Sequence, residues 1–260
     1  MKRFLLLFCL FFMLSPGVEA QEFSEFQKQY FRSKQDTLPF RVLLPKNFDK
    51  DKKYPLLLFL HGIGERGSDN EKQLTHGARF FLKDSIRAQF PAVVVFPQCP
   101  DGKSWHNGKV TANPDGSRMV VHPKKRLPNK QLELLEELIF EMHWVYPIDE
   151  NRIYLGGLSN GSRGTMEMIR RNPKLFAASF AICGGGNPNI AKDLQYTPLW
   201  IFHGDADGVN PYRESLDVYH GLKNLNAPVK MTTFTGVDHN AWDPAFAEPG
   251  LMEWLFSHKR

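Results

Sequence analysis

Short apolar runs alternate with longer amphipathic ones along most of the chain. Leu56-Leu57-Leu58-Phe59-Leu60 and Val93-Val94-Val95-Phe96 are apolar at every position, so both faces of each strand require cover. Strands are predicted at Phe40–Leu44, Leu56–Leu60, Val93–Phe96, Arg152–Leu155, Ala178–Cys183, Leu199–Phe202 and Lys230–Phe234. Between them the spacing predicts helices at Lys72–Lys83, Lys130–Tyr146, Ser162–Arg171, Tyr212–Leu225 and Gly250–His258. The second helix is the clearest: Leu132, Leu135, Leu138, Ile139 and Met142 make one face, and Glu133, Glu136, Glu137 and Glu141 the other. This alternation predicts an α/β fold with a mostly parallel central sheet and helices on both faces. Phe26–Arg32 with Phe40–Leu44 would form an antiparallel N-terminal edge. The segment from Gln98 to Asn129, rich in Pro and Gly, reads as a long loop, and loops of that length are usually functional.

Composition narrows this picture rather than changing it. The 260 residues are 42% hydrophobic and 23% charged, with mean hydropathy −0.38, which excludes a disordered tail, a collagen-like repeat and a multi-span membrane protein. The net charge of +5 is spread out, and no run of like charges argues for nucleic acid. Lys2 and Arg3, the apolar stretch Phe4–Leu14 and the small residues Val18 and Ala20 describe an export signal cut after Ala20. Eleven apolar residues rise only about 16 Å as a helix, too short for a stable membrane anchor. The expected organisation is therefore a signal peptide at 1–20 and one catalytic domain at 21–260, exported to the periplasm or beyond. No CxxC and no His pair at ligand spacing suggests a metal site.

The chemistry concentrates in Arg152-Ile-Tyr-Leu-Gly-Gly-Leu-Ser159-Asn-Gly161-Ser. A strand, then Gly157-x-Ser159-x-Gly161, then a helix is the pattern of the nucleophile elbow of α/β-hydrolases. The sharp turn leaves no room for side chains beside the serine, and the helix N-terminus favours negative charge at its oxygen. A serine hydroxyl needs a base and an acid that orients the base, and in this arrangement they follow in the order acid, then His. Four histidines lie downstream of Ser159. His220 and His258 fall in helical patterns and are expected to face solvent, and His203 ends a strand. His239, in a loop after the last strand, is the candidate base. Asp207 is the candidate acid, with Asp205 as competitor; Asp238 adjoins the base and is expected to point away. Two backbone N–H groups would form an oxyanion hole: Asn160, and Ile63 or alternatively Gly64, from the loop His61-Gly-Ile-Gly-Glu-Arg-Gly67. His61 reads as a structural hydrogen-bonding residue. Trp105, His106 and Trp242 are candidate substrate-cleft walls. His122-Pro-Lys-Lys-Arg126 is either a patch for acidic polysaccharide or a solvated turn.

Together, His61-Gly-Ile-Gly-Glu-Arg-Gly67, Pro97-Gln-Cys-Pro100, Gly157-Leu-Ser-Asn-Gly161, Ile182-Cys-Gly-Gly185, His203-Gly-x-x-Asp207 and Gly236-x-x-His239-x-x-Trp-Asp243 resemble a known group. The chain is similar, from Leu38 to Arg260, to secreted esterases of the α/β-hydrolase superfamily related to polyhydroxybutyrate depolymerases and feruloyl and acetylxylan esterases. The resemblance implies a serine carboxylesterase with Ser159, Asp207 and His239 as triad, no cofactor, and a small-molecule, polysaccharide or polyester ester as substrate. Two departures stand out. Asn160 replaces a common Met or Gln, which would make the wall beside the nucleophile more polar, and Ser162 replaces a second Gly. Asn160-Gly-Ser162 is also a glycosylation sequon, discounted because a glycan would block the site. The implied strand order sets the strands before Cys99 and Cys183 three positions, about 14 Å, apart, so both thiols are expected free and buried. A prolyl oligopeptidase-like peptidase and a non-catalytic module on the same fold are the rival readings.

Overall fold

A computed structural model describes residues 22–34, 36–112, 118–121, 123, 125–186 and 188–260. The segment 1–20, read as an export signal, lies outside the described residues, as do His122 and Lys124 of the basic turn. Eight strands form one sheet: β1 (Gln27–Ser33), β2 (Asp36–Leu43), β3 (Tyr54–Leu60), β4 (Val93–Pro97), β7 (Ile148–Leu158), β8 (Ala178–Ile182), β9 (Leu199–Gly204) and β10 (Val229–Phe234). Their spatial order is β1-β2-β4-β3-β7-β8-β9-β10. β2 runs antiparallel to both β1 and β4, and every later pairing is parallel, as the alternating runs predict.

The continuous apolar runs have a direct structural cause. In β3, Leu56, Leu58 and Leu60 point into one core while Leu57 and Phe59 point into the other, and all five are fully buried. One core is covered by α3 (Lys130–Val145), which presents Leu132, Leu135, Leu138, Ile139 and Met142 to the sheet. Asn129 starts this helix, its side-chain oxygen accepting from the amides of Gln131 and Leu132. The opposite core is rich in aromatics: the Phe59 ring meets those of Phe96, Phe180 and Phe246, and Phe180 meets Phe246 edge-on.

Two expectations are corrected. The helix predicted over Lys72–Lys83 is broken: a single turn at Lys72–Leu74 is followed by Gly77 at φ +84°, then by α1 (Ala78–Leu82) and α2 (Asp84–Gln89). A Cβ on Gly77 would lie 2.7 Å from the Phe246 ring, so the chain turns where only glycine fits. The predicted loop 98–129 also carries a hairpin, β5 (Lys109–Ala112) with β6 (Arg118–Val121). The remaining helices are α4 (Asn160–Arg171), α5 (Ala191–Leu194), α6 (Tyr212–Asn224), α7 (Trp242–Ala247) and α8 (Leu251–Ser257). No helix among the described residues is long and apolar enough to cross a membrane.

Cys99 follows β4 and Cys183 follows β8, three sheet positions apart, and both are free and fully buried. Burial pushes the Cys99 thiol up to about 12 and raises that of Cys183 as well. Both thiols are expected to resist DTNB in the native protein and react together on unfolding in guanidinium. A native, rapidly reacting thiol would contradict this packing.

Candidate active site

The site residues converge because parallel strands deliver their carboxyl ends to one edge of the sheet. β3 and β7 are neighbours with Leu60 paired to Gly157, so the loop after Leu60 and the turn after Leu158 start side by side. At that turn Ser159 sits at φ 52°, ψ −113°, a left-handed conformation costly for a residue with a side chain. Two close approaches hold it there. A Cβ on Gly161 would stand 2.0 Å from the Leu60 carbonyl oxygen, and one on Gly157 would stand 2.4 Å from the Gly161 oxygen. Ser159 N–H donates to Ile182 O at 2.8 Å and Ser159 O accepts from Arg163 N at 3.2 Å, anchoring the turn to β8 and to α4. The helix begins at Asn160, two residues earlier than predicted, so its N-terminus abuts the serine directly.

Ser159 Oγ lies 3.0 Å from His239 Nε2, and His239 Nδ1 lies 2.8 Å from Asp207 Oδ2. The three come from the loops after β7, β9 and β10. Asp207 has no exposed side-chain surface. Burial by itself would raise its carboxyl, but hydrogen bonds from His203, His239 and the Asn210 and Val209 amides outweigh that. They hold it far below the ordinary carboxylate range. The Oδ1 atom takes both amides at 2.8 Å, and Oδ2 takes His203 Nε2 at 3.1 Å besides His239. His203 is thus a second imidazole on the same carboxylate. With Nε2–H donating to Asp207, its Nδ1 accepts from Ser215 Oγ–H at 2.6 Å.

The competitors occupy other positions. Asp205 accepts the Gly236 amide at 2.7 Å and Asp238 accepts the Gly208 amide at 2.8 Å, so the two carboxylates lace the β9 and β10 loops together. His220 is exposed, as expected. His258 is only half-exposed, because its ring packs 4.7 Å from that of Trp254 and its Nδ1 meets the Trp254 carbonyl at 2.7 Å. His61 is buried: Nδ1–H donates to Gly62 O at 2.6 Å, leaving Nε2 to accept the Cys99 amide at 2.9 Å. A Cβ on Gly62 would fall 3.6 Å from Ser159 Cβ, which brings the loop carrying Ile63 and Gly64 against the serine.

Two sequence readings change. Trp105 has no exposed surface with which to line a cleft; its ring packs 5.5 Å from that of His61 and its Cβ fills the space above Gly164. Asn160 does not present a polar wall. Its carboxamide is consumed by the neighbouring loop, Nδ2 donating to Ser104 Oγ at 2.9 Å and Oδ1 accepting from Trp105 N at 3.2 Å. Sequence patterning also passed over Asn210, Arg163 and Glu214, which are buried behind the serine. Trp242 is half-buried, 5.6 Å from the His239 ring and 4.5 Å from that of His76. His106 is half-buried on the loop beside Trp105, its Nδ1 accepting from Gly108 N.

A mostly parallel eight-stranded sheet with a serine on the turn between a strand and a helix defines an α/β-hydrolase. More narrowly, the profile of the phospholipase/carboxylesterase family matches residues 47–248, and the chain belongs to that family of esterases. It is 25% identical over 217 residues to acyl-protein thioesterase 1 of Candida albicans, covering 74% of this chain and 87% of that protein. It is 27% identical over 146 residues to a poly(3-hydroxybutyrate) depolymerase of Ralstonia pickettii, covering 56% of this chain and 28% of that one. Among solved structures, a thermostable esterase superposes with TM-score 0.80 at 34% identity, over 91% of this chain and 64% of that chain. A ferulic acid esterase of Anaeromyces mucronatus shares the fold with TM-score 0.65 at 19% identity, over 87% of this chain and 89% of that one.

Burial lowers the His61 imidazole from its ordinary 6.5 to about 4. Between these values the unfolded chain holds the extra proton, so stability falls as pH drops from 6.5 towards 4 and this loss levels off below 4. The total is about 3 kcal/mol. Urea unfolding of wild type and His61→Asn should therefore show a stability gap that shrinks with acidification across this window. A gap independent of pH would show that His61 does not titrate in this way.

Proposed function

We propose that the protein is a serine esterase acting through an acyl-enzyme on Ser159, with His239 as base and Asp207 as the acid that fixes it. The observation that carries this reading is the continuous chain from Ser159 Oγ to His239 Nε2, 3.0 Å, and from His239 Nδ1 to Asp207, 2.8 Å, drawn from three separate loops. Asp207 remains ionised and accepts from Nδ1–H, so Nε2 is left as the lone-pair nitrogen facing the serine. Ser159 Oγ attacks the ester carbonyl as its proton passes to His239 Nε2. The oxyanion that forms is held by the amides of Ile63 and Asn160, which flank the serine from the β3 loop and the start of α4. Collapse expels the alcohol, which takes the proton from Nε2–H. Water then repeats the sequence on the acyl-enzyme and returns the free serine. Side chains and amides handle every proton and charge in this cycle, so no cofactor is invoked.

His106 and Trp242 are retained as cleft walls. Ile63 and Val209, 55% and 62% exposed on the loops that carry the site, add apolar surface suited to an acyl or aryl group. The named activities of the similar proteins support ester substrates of small-molecule, polysaccharide or polyester type. The thioesterase relative favours thioesters as a second substrate, since the same attack releases a thiol. The proposed setting is an exported single-domain enzyme with residues 1–20 removed.

On p-nitrophenyl acyl esters, methyl ferulate and an acyl thioester, wild type is expected to turn over at least one oxygen ester. Ser159→Ala and Asp207→Asn should each lower kcat by about 10,000-fold without unfolding the protein. Undiminished hydrolysis by Ser159→Ala, or turnover of peptides alone, would overturn this reading.

A further inference from the structure

We propose that Asn210 is a positioning residue for the nucleophile, and that the buried Arg163–Glu214 ion pair sets its orientation; this rests on the serine esterase reading. Asn210 is only 7% exposed, and its carboxamide has partners on each end. Arg163 donates to Oδ1 at 3.0 Å, and Nδ2 donates to the Cys183 carbonyl at 2.7 Å. A guanidinium only donates and a carbonyl only accepts, so these two partners fix which end of the amide is which. The second Nδ2 hydrogen is thereby turned to Ser159 Oγ, 3.4 Å away. The hydroxyl proton points to His239, so Asn210 takes an oxygen lone pair. This confines Oγ to the rotamer from which His239 can receive its proton. As that proton leaves, negative charge grows on Oγ and the long contact tightens.

The same residue serves the acid. Its amide N–H donates to Asp207 Oδ1 at 2.8 Å, and its carbonyl receives His203 Nε2 at 3.2 Å. Asn210 therefore touches both ends of the Ser159–His239–Asp207 chain.

Behind it, Arg163 on the first turns of α4 pairs with Glu214 on the first turn of α6 at 2.7 Å, each side chain 6% exposed. A buried ion pair contributes little net stability because both charges lose their water. Its geometry supplies direction instead. One Arg163 nitrogen bridges Glu214 Oε2 and Asn210 Oδ1, while Glu214 Oε1 accepts the amide of Val120 in β6 at 2.7 Å. The hairpin, α6 and the nucleophile turn are thus joined through three buried side chains.

The test uses the full-length enzyme and an oxygen ester that wild type hydrolyses, with competent sites counted by fluorophosphonate titration. Asn210→Ala should lower kcat by about 10- to 100-fold with KM within about twofold, and should slow fluorophosphonate labelling of Ser159 by the same factor. Asn210→Leu, closer in volume, carries the same test should the alanine variant fail to fold. Glu214→Gln should lower kcat in wild type but add nothing in the Asn210→Ala background, because its effect passes through Asn210. Unchanged kcat in the folded Asn210 variants, or a change in KM alone, would overturn the assignment. Additive losses in the double variant would overturn the role of the ion pair. A normal Asn210 variant beside an inactive Ser159→Ala refutes this inference and leaves the serine reading standing; an active Ser159→Ala refutes both.

Discussion

Between β7 and α4 the backbone reverses within one residue, Ser159, at a positive φ that its side chain opposes. The reversal persists because its neighbours leave no alternative: the Gly161 backbone lies against the Leu60 carbonyl, and the serine's own N–H and C=O are tied to β8 and α4. Local strain of about 1–3 kcal/mol is stored there and offset by sheet packing on both sides. The turn sets Ser159 Oγ at the N-terminus of α4, on the edge where the loops after the parallel strands meet.

The electrostatics follow from the same crowding. Asp207 is buried, so its charge must be met entirely by protein groups, and four hydrogen bonds meet it. Two come from imidazoles, one of which, His203, is itself fixed by Ser215. The other, His239, turns its Nε2 to Ser159 Oγ at 3.0 Å. Asp205 and Asp238, which look interchangeable with Asp207 in sequence, are committed to fastening the loops that hold the His239 ring in place.

Much of this was legible in the residues. Fully apolar runs such as Leu56–Leu60 announce strands covered on both faces, and the mostly parallel sheet with its antiparallel N-terminal edge follows from them. Loop position after β9 and β10 was enough to bring Asp207 and His239 beside Ser159. Periodicity could not locate the break at Gly77, because the apolar spacing continues through it. Nor could it find the β5–β6 hairpin, which is short and set in a Pro- and Gly-rich stretch. Trp105 shows a different limit: an aromatic in a loop reads as available for substrate, but tertiary packing under His61 leaves it no free face. Asn210, Arg163 and Glu214 were invisible because a buried polar contact leaves no periodic trace in sequence.

The chain belongs to the phospholipase/carboxylesterase family, and the proteins it is similar to are named for thioester, acetylxylan and polyester hydrolysis. What joins the turn, the carboxylate and the loops is one claim, that Ser159 carries the acyl group between two half-reactions. Rapid acid quenching during turnover of p-nitrophenyl acetate, followed by peptide mapping, examines that step itself. A single acetyl group on the peptide containing Ser159, formed in step with the burst of p-nitrophenol, is the result expected. Steady turnover with no acetylated peptide and no burst, or acetyl on a different residue, would contradict it.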